Sequence, residues 1–342
     1  MVESVEQEPD RTAISAPARV PKICCRGRVH KDQEPFYDLA VVGELNVDLI
    51  LSGSDVRPEF GQREKLVDEA VLAPGGSSAI FACQASKLGL KTLFLGKVGD
   101  DDFGHFMVRA LAEAGVDTRA VLVDKTVKTG ITVHLSCAGD RAMLTYLGCI
   151  AALDAREIEL SLLEQARHLH VGSFFLQTGL AEDLHTLFAR LKQRGMTVSL
   201  DPGWDPRGIW NGSLHRALEY VDIFLPNETE ALKIAGRAEV EDALAELARR
   251  IPTVAIKLGA EGATARAGQE VARAEAFAVR VADTIGAGDS FDAGFIYGYL
   301  SGLPLSESLR IGCACGALSA TKVGGVAGQP DLKQLQAFLG RG

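Results

Sequence analysis

The sequence predicts an α/β fold built on a mostly parallel sheet covered by helices, with a second, small sheet set apart from it. Three observations carry that expectation. Short apolar runs of strand type alternate with segments of helical period through most of the chain. The alternation lapses twice, near residues 47–72 and 118–148, where extended runs follow one another with no helix between them. Glycine makes up 36 of the 342 residues and stops the first helical segments at Gly89 and Gly115, as a left-handed residue does at a helix end.

Taken in order, Asp38-Leu-Ala-Val-Val-Gly reads as a buried strand ending in a turn, and Val47-Asp-Leu-Ile-Leu continues as extended structure. Ser77 to Leu88 has helical period, Thr92-Leu-Phe-Leu-Gly is a strand, and Phe103 to Ala114 is the next helix. Two extended runs, 129–135 and 141–146, flank Ala138-Gly139-Asp140 and read as a hairpin. Alternation resumes with a strand at 168–172, a helix over 180–193, strands at 196–200 and 222–225, helices over 228–235 and 240–249, and a strand at 253–257. An antiparallel pair at 264–267 and 270–274 follows, and three helices end the chain, over 287–300, 305–322 and 331–339. The two lapses are expected to join into one small sheet. Residues 1–36 are polar, punctuated by proline and aperiodic, which predicts a disordered extension ahead of a single domain over 37–342.

Composition narrows the function. With 36 Lys+Arg against 45 Asp+Glu the net charge is −9, which excludes a protein that lives on nucleic-acid phosphates or on an anionic membrane. No apolar stretch is long enough to span a bilayer. Seven scattered cysteines lack metal-ligand spacing and read as small hydrophobes in a reducing, cytoplasmic compartment. His134, His168, His170 and His185 share no metal-binding helix face and are expected in the core or on the surface.

The chemistry concentrates in Val281-Ala-Asp-Thr-Ile-Gly-Ala-Gly-Asp289, a glycine-rich turn feeding a nearly all-apolar helix. Free N–H groups at such a helix start form an anion site supported by the helix dipole. Asp289, in the first turn, would stand beside that anion. A carboxylate there suits the removal of a proton from a hydroxyl that attacks a phosphoryl group. The N–H groups of Ala287, Gly288 and Asp289 would bind the developing charge. The dinucleotide glycine fingerprint and the Gly-x-x-x-x-Gly-Lys-Ser/Thr loop are both absent.

The segment Asp283-Thr284-x-Gly286-Ala287-Gly288-Asp289 resembles the second signature of the PfkB carbohydrate kinases, a family with the ribokinase-like fold. Ala73-Pro-Gly75-Gly76-Ser77, running on to Gly104, resembles the first. Asn227-x-x-Glu230 and Lys257-Leu-Gly259-x-x-Gly262 resemble two further motifs of the family, and all four occur in the family's order. The resemblance implies a three-layer α/β/α domain with a discontinuous β lid, and an ATP-dependent sugar kinase. It implies that Asp289 is the base and that Gly286, Ala287 and Gly288 form the hole for the γ-phosphate. Asn227 and Glu230 would position Mg²⁺ through water. Asp283 and the backbone at Ile285 would border a monovalent cation such as K⁺. Lys257, Gly259, Gly262 and Thr284 would line the nucleotide side, with Ala314 against the base. Asn46 and Asp48, at the end of the first strand, would grip sugar hydroxyls, with Gly75, Gly76 and Ser77 beside them.

On the hairpin, Arg141 and Tyr146 either reach over the substrate or stand exposed on their strand. Two departures bear on which sugar is used: Ile80 stands where the family usually has Asn, and Gly203 replaces Asn in Asp201-Pro-Gly-Trp-Asp-Pro-Arg207. Fructose-, ribose- and ketodeoxygluconate-like acceptors all remain open. A nucleoside kinase on the same fold and a catalytically silent binding homologue are the competing readings. Lid edges that invite pairing suggest a homodimer.

Overall fold

The computed structural model describes residues 36–137 and 140–340. The expected disorder of residues 1–36 therefore lies outside the described residues except at Phe36, and so does most of the expected turn at 138–140. Thirteen strands are present among them: β1 (Tyr37–Val42), β2 (Asn46–Ser52), β3 (Glu69–Gly75), β4 (Thr92–Gly99), β5 (Asp117–Asp124), β6 (Gly130–Cys137), β7 (Asp140–Tyr146), β8 (Ala166–Val171), β9 (Thr197–Leu200), β10 (Ile223–Phe224), β11 (Thr253–Lys257), β12 (Ala263–Ala267) and β13 (Glu270–Ala274). The longer helices are α1 (Ser77–Lys87), α2 (Asp102–Glu113), α3 (Leu184–Gln193), α4 (Glu228–Ala235), α5 (Val240–Leu247), α6 (Ala287–Leu300), α7 (Leu305–Ser319) and α8 (Leu332–Leu339).

Nine strands form one sheet in the order β13-β12-β11-β10-β9-β8-β1-β4-β5, parallel from β11 to β5 and antiparallel at β12 and β13. Successive residues of β1 point to opposite faces, as strand geometry requires. Ala40 and Val42 pack with Leu187 and Phe188 of α3 and Ala243 of α5. Leu39 and Val41 pack with Phe81 of α1, Met107 of α2 and Phe295 of α6. Helices thus cover both faces, which is why β1 reads as an unbroken apolar run rather than an alternating one.

The second sheet has four strands in the order β3-β2-β6-β7. Its membership corrects one expectation. The stretch 117–124 was expected with the lid, yet as β5 it lies parallel to β4 at the edge of the large sheet. Helix α2 supplies the crossover that a parallel β4–β5 pair needs, so the alternation ends one strand later than its pattern suggests. Asn46 and Asp48 do not end the first strand either; β1 stops at Val42, and both residues lie in β2 of the small sheet.

Pairing in the small sheet sets Asp48 opposite Thr132 and Ala73, Asn46 opposite Gly75, and Thr132 opposite Thr145. With a period of two, one face therefore carries Asn46, Asp48, Thr132, His134, Arg141 and Thr145. The other carries Leu49, Leu72, Val133, Leu144 and Tyr146.

The described cysteines are all unpaired, and Cys83, Cys149, Cys313 and Cys315 are buried. His168 and His170 lie in the core on β8, hydrogen-bonded to Thr197 and Ser199, while His185 is half-buried on α3. The expected helix over 180–193 is two pieces, Thr178–Ala181 and α3.

Candidate active site

The glycine-rich turn begins α6 as its sequence predicts. Gly286 takes a left-handed conformation at φ 70°, and a Cβ there would lie 2.6 Å from Gly325 Cα and 2.9 Å from Ile80 Cγ2. Only glycine fits both the conformation and the contact. Asp283 stitches the turn to the next loop: its carboxylate accepts from the N–H of Ile285 and the N–H of Gly324, each at 3.0 Å. One expected donor is already used, because the Ala287 N–H is bonded to the Thr284 carbonyl at 3.3 Å. The N–H groups of Gly286, Gly288 and Asp289 have no partner among the described residues, so they are the donors left for an anion.

Beneath this turn lies a buried ion cluster. Lys257 Nζ is 2.7 Å from Asp201 Oδ2 and 3.0 Å from both oxygens of Asp292, with Lys257 itself only 12% exposed. Carboxylate oxygens of Asp201, Asp289 and Asp292 lie within 4.8 Å of one another, spacing that would suit a metal ion. The Lys257 ammonium already fills that role. Burial pushes the Asp292 carboxyl well up, whereas Asp201, although burial opposes its charge, is held below its usual range by the ammonium. The ammonium thus offsets much of the carboxylate charge gathered there. Lys257 was expected to line the nucleotide side; its charge instead serves two carboxyls under the first turn of α6.

Asp289 is half-buried and titrates at about 7, raised first by burial and then by the Asp201 charge, with Lys257 opposing. The nearby Ser77 side chain, the smallest of these influences, opposes the rise. Ser77 opens α1 directly after Gly75 and Gly76, so the base stands beside the acceptor side. The two glycines are there for space. A Cβ on Gly75 would stand 2.2 Å from the Asp48 carboxyl carbon, and one on Gly76, at φ 87°, would stand 2.9 Å from Asn46 Oδ1. Asn46 Nδ2 donates to Asp48 Oδ1 at 3.1 Å, and both residues are 3% exposed. Glu44, also buried, accepts from Ser78 Oγ at 2.6 Å, and burial raises its pKa.

Asn227 and Glu230 form a capping box at the start of α4: Glu230 N–H donates to Asn227 Oδ1 at 3.0 Å and Asn227 N–H to Glu230 Oε2 at 2.8 Å. Glu230 is 4% exposed and titrates at about 7, raised by burial and the Asp201 charge. A divalent cation would replace that proton, and a carboxylate with an amide oxygen is the hard donor pair Mg²⁺ prefers. Gly259 and Gly262 turn the chain after β11; a Cβ on Gly262 would meet the Ala274 carbonyl at 2.0 Å. Arg141 is brought in from the lid, its Nη1 donating to Thr284 Oγ1 at 3.2 Å and lying 3.8 Å from Asp283.

Two expected positions are not in the site. Ala314 is fully buried in α7 among Leu88, Ile311 and Leu335, where its small side chain lets helices approach, so it does not face a base. Ile80 turns its side chain under Gly286 and Gly325 rather than toward an acceptor. Conversely, Glu44, Asp201, Asp292 and His134 join the site without having been singled out as site residues. Asp292 carried a usable signal, since it lies three residues from Asp289 on one helix face.

A model described as "pfkB family carbohydrate kinase" matches residues 37–332. The chain belongs to that family. It is 31% identical over 317 residues to a fructokinase of Klebsiella pneumoniae, covering 87% of this chain and 98% of that one. It is also 31% identical over 247 residues to an uncharacterized sugar kinase of Archaeoglobus fulgidus, covering 72% and 97%. An E. coli protein described as a ribokinase II, solved with ATP and Mg²⁺, superposes with a TM-score of 0.80 at 26% identity, covering 90% of this chain and 100% of the other.

Replacing Lys257 tests the ion cluster. In Lys257→Met two buried carboxyls lose their ammonium, which should cost about 3–5 kcal/mol at neutral pH. Carboxyls whose folded pKa is raised bind more protons folded than unfolded, so stability falls as pH rises. Urea unfolding at pH 5 and pH 8 should show the loss growing toward pH 8; an equal loss at both would contradict the charge assignment.

Proposed function

We propose that this chain is an ATP-dependent sugar kinase, moving the γ-phosphoryl group of ATP to a hydroxyl of a small carbohydrate. One observation carries the reading. Asp289 shares the first turn of α6 with unpartnered N–H groups and stands near Ser77, which follows the Gly75–Gly76 pair packed on Asp48 and Asn46. Base, anion site and hydroxyl-binding groups thus meet at one helix start. The fructokinase name among its relatives and the ATP–Mg²⁺ complex of a structural neighbour point the same way.

In this mechanism Asn46 and Asp48 orient the sugar so that one hydroxyl faces Asp289. The ionised Asp289 accepts the hydroxyl proton as the oxygen attacks the γ-phosphorus, and ADP leaves. The N–H groups of Gly286, Gly288 and Asp289 stabilise the charge on the transferring group. Mg²⁺, held through water by Asn227 and Glu230, would neutralise phosphate charge. Asp283, with the backbone at Ile285, is our candidate border for K⁺ beside the anion site. Arg141, bonded to Thr284, would close the lid over the phosphates and exclude water.

The nucleoside-kinase alternative needs an aromatic surface at the acceptor. Tyr146, the lid aromatic, lies on the strand face opposite Thr145, turned away from Asn46 and Asp48. An intact Asp289 and anion turn argue against a silent homologue. No helix among the described residues is long and apolar enough to cross a membrane. ATP use and unpaired cysteines fit the cytoplasm.

The outer lid face leaves Leu72, Leu144 and Tyr146 46%, 61% and 54% exposed, an apolar surface that pairing of two lids would cover. We assign it to a homodimer.

A coupled assay of ADP release with hexoses, pentoses, sugar acids and nucleosides tests the main reading, and a nucleoside as best acceptor would overturn it. The Asp289→Asn variant should lose about 10²–10⁴ in kcat while binding ATP nearly as well; near-normal turnover would remove the base assignment. Because the base must be deprotonated, wild-type kcat/KM should rise with pH through about 7 and level off above it. In sedimentation velocity, the wild-type chain should run as a dimer and Leu144→Lys as a monomer.

A further inference from the structure

His134 lies on β6 in the inner face of the lid and is only 5% exposed. Its Nε2 is 3.3 Å from Asp48 Oδ1, yet the contact is misaligned, and neither ring nitrogen makes a hydrogen bond among the described residues. That is unusual for this chain. The two buried histidines of the large sheet are hydrogen-bonded: His168 through both ring nitrogens to Thr197 and Ser199, and His170 through Nδ1 to Ser199, each at 2.7 or 2.8 Å. A buried imidazole offers one donor and one acceptor whichever tautomer it takes, and leaving both unused is unfavourable. A ligand hydroxyl beside Asp48 would use Nε2, the nitrogen that faces it.

The surroundings define that ligand. Lid register places His134 one pair beyond Thr132, opposite Ile50 of β2 and Met143 of β7. Asp48 Oδ1 is already taken by Asn46, while Oδ2 accepts from no described residue. Imidazole and carboxylate therefore stand side by side, 3.3 Å apart at Nε2 and Oδ1, so that one sugar can offer a hydroxyl to each. Thr132 and Thr145, joined at 3.1 Å, extend the polar strip. Arg141 on the same lid face is engaged by Thr284 and Asp283, and Asp48 and Asp289 are both acidic, a setting that disfavours an acceptor carrying its own carboxylate.

We propose that His134 is a specificity-determining residue of the acceptor site, completing with Asp48 a two-point grip on adjacent hydroxyls of an uncharged sugar. The inference rests on the sugar-kinase reading and narrows it: neutral ketoses and aldoses are substrates, and sugar acids are poor ones. The chemical logic is that a site built to hydrogen-bond a hydroxyl strongly disfavours an analogue lacking it, because its own polar groups are then left unpaired.

The test compares wild type, His134→Val and His134→Gln in the coupled assay with D-fructose, D-ribose, 2-keto-3-deoxygluconate, adenosine and the monodeoxy analogues of whichever sugar is used best. With that sugar, His134→Val should raise the acceptor KM by about 10-fold, while the KM for ATP stays within about twofold. His134→Gln, which keeps a donor and an acceptor, should recover part of the loss and guards against a folding defect in the valine variant. One monodeoxy analogue should give the same KM in wild type and His134→Val, since the hydroxyl that His134 reads is missing; a merely structural histidine would produce no such equality. Unchanged acceptor KM in both variants overturns the role of His134 and leaves the sugar-kinase reading intact. A preference of the wild type for the keto acid overturns the uncharged class. No turnover of any acceptor overturns the sugar-kinase reading and this inference with it.

Discussion

Everything near the base depends on one ammonium group. Lys257 Nζ, from the end of β11, is bound by Asp201 from the end of β9 and by Asp292 from α6. Three elements distant in sequence are thus pinned beneath the turn that carries Asp289. Without that charge, carboxyls from β9 and α6 would be crowded together with nothing to offset them, and the helix start could not sit so close to the strand ends. With it, the local charge is nearly balanced, and Asp289 is left poised between its two protonation states instead of being locked in either. The same field reaches Glu230 through Asp201.

Close approach is the second constraint, and glycine meets it at a few decisive points. Gly286 admits Gly325 and Ile80 beneath the anion turn, and Gly75 makes way for the Asp48 carboxyl. Further along, Gly316 of α7 lets that helix press on Ala287 at the start of α6; a Cβ there would be 2.9 Å from the Ala287 carbonyl. The high glycine count of the chain resolves, at these places, into backbone walls around polar ligands rather than into loose structure.

Local features were readable in the amino-acid order, and tertiary ones were not. The turn at Gly286, the position of Asp289 in the first helical turn, and the Asn227–Glu230 cap all follow from neighbours a few residues apart, where residue type dictates geometry. The layered sheet was legible for the same reason, through the period of its apolar residues. The carboxylate partners of Lys257 are not legible locally because they lie 56 and 35 residues away, and nothing in its own segment says which way the side chain turns. The extent of the lid is not legible for the same reason, since β5 differs from a lid strand only in its partner. From its own segment His134 reads only as a core or surface histidine, and it is the pairing of β2 with β6 that brings Asp48 beside it.

The small sheet has a further consequence for how such a protein can change. Its strands arrive in two separate excursions of the chain, β2–β3 and β6–β7, joined side by side through the parallel pairing of β2 with β6. No single contiguous segment encodes it. Recombination cannot exchange it as a cassette, since half a sheet brings neither a complete polar face nor a complete set of hydrogen bonds. New acceptor chemistry in this architecture is therefore reached by substitution, one inward-facing residue at a time, on a plate whose pairing stays fixed.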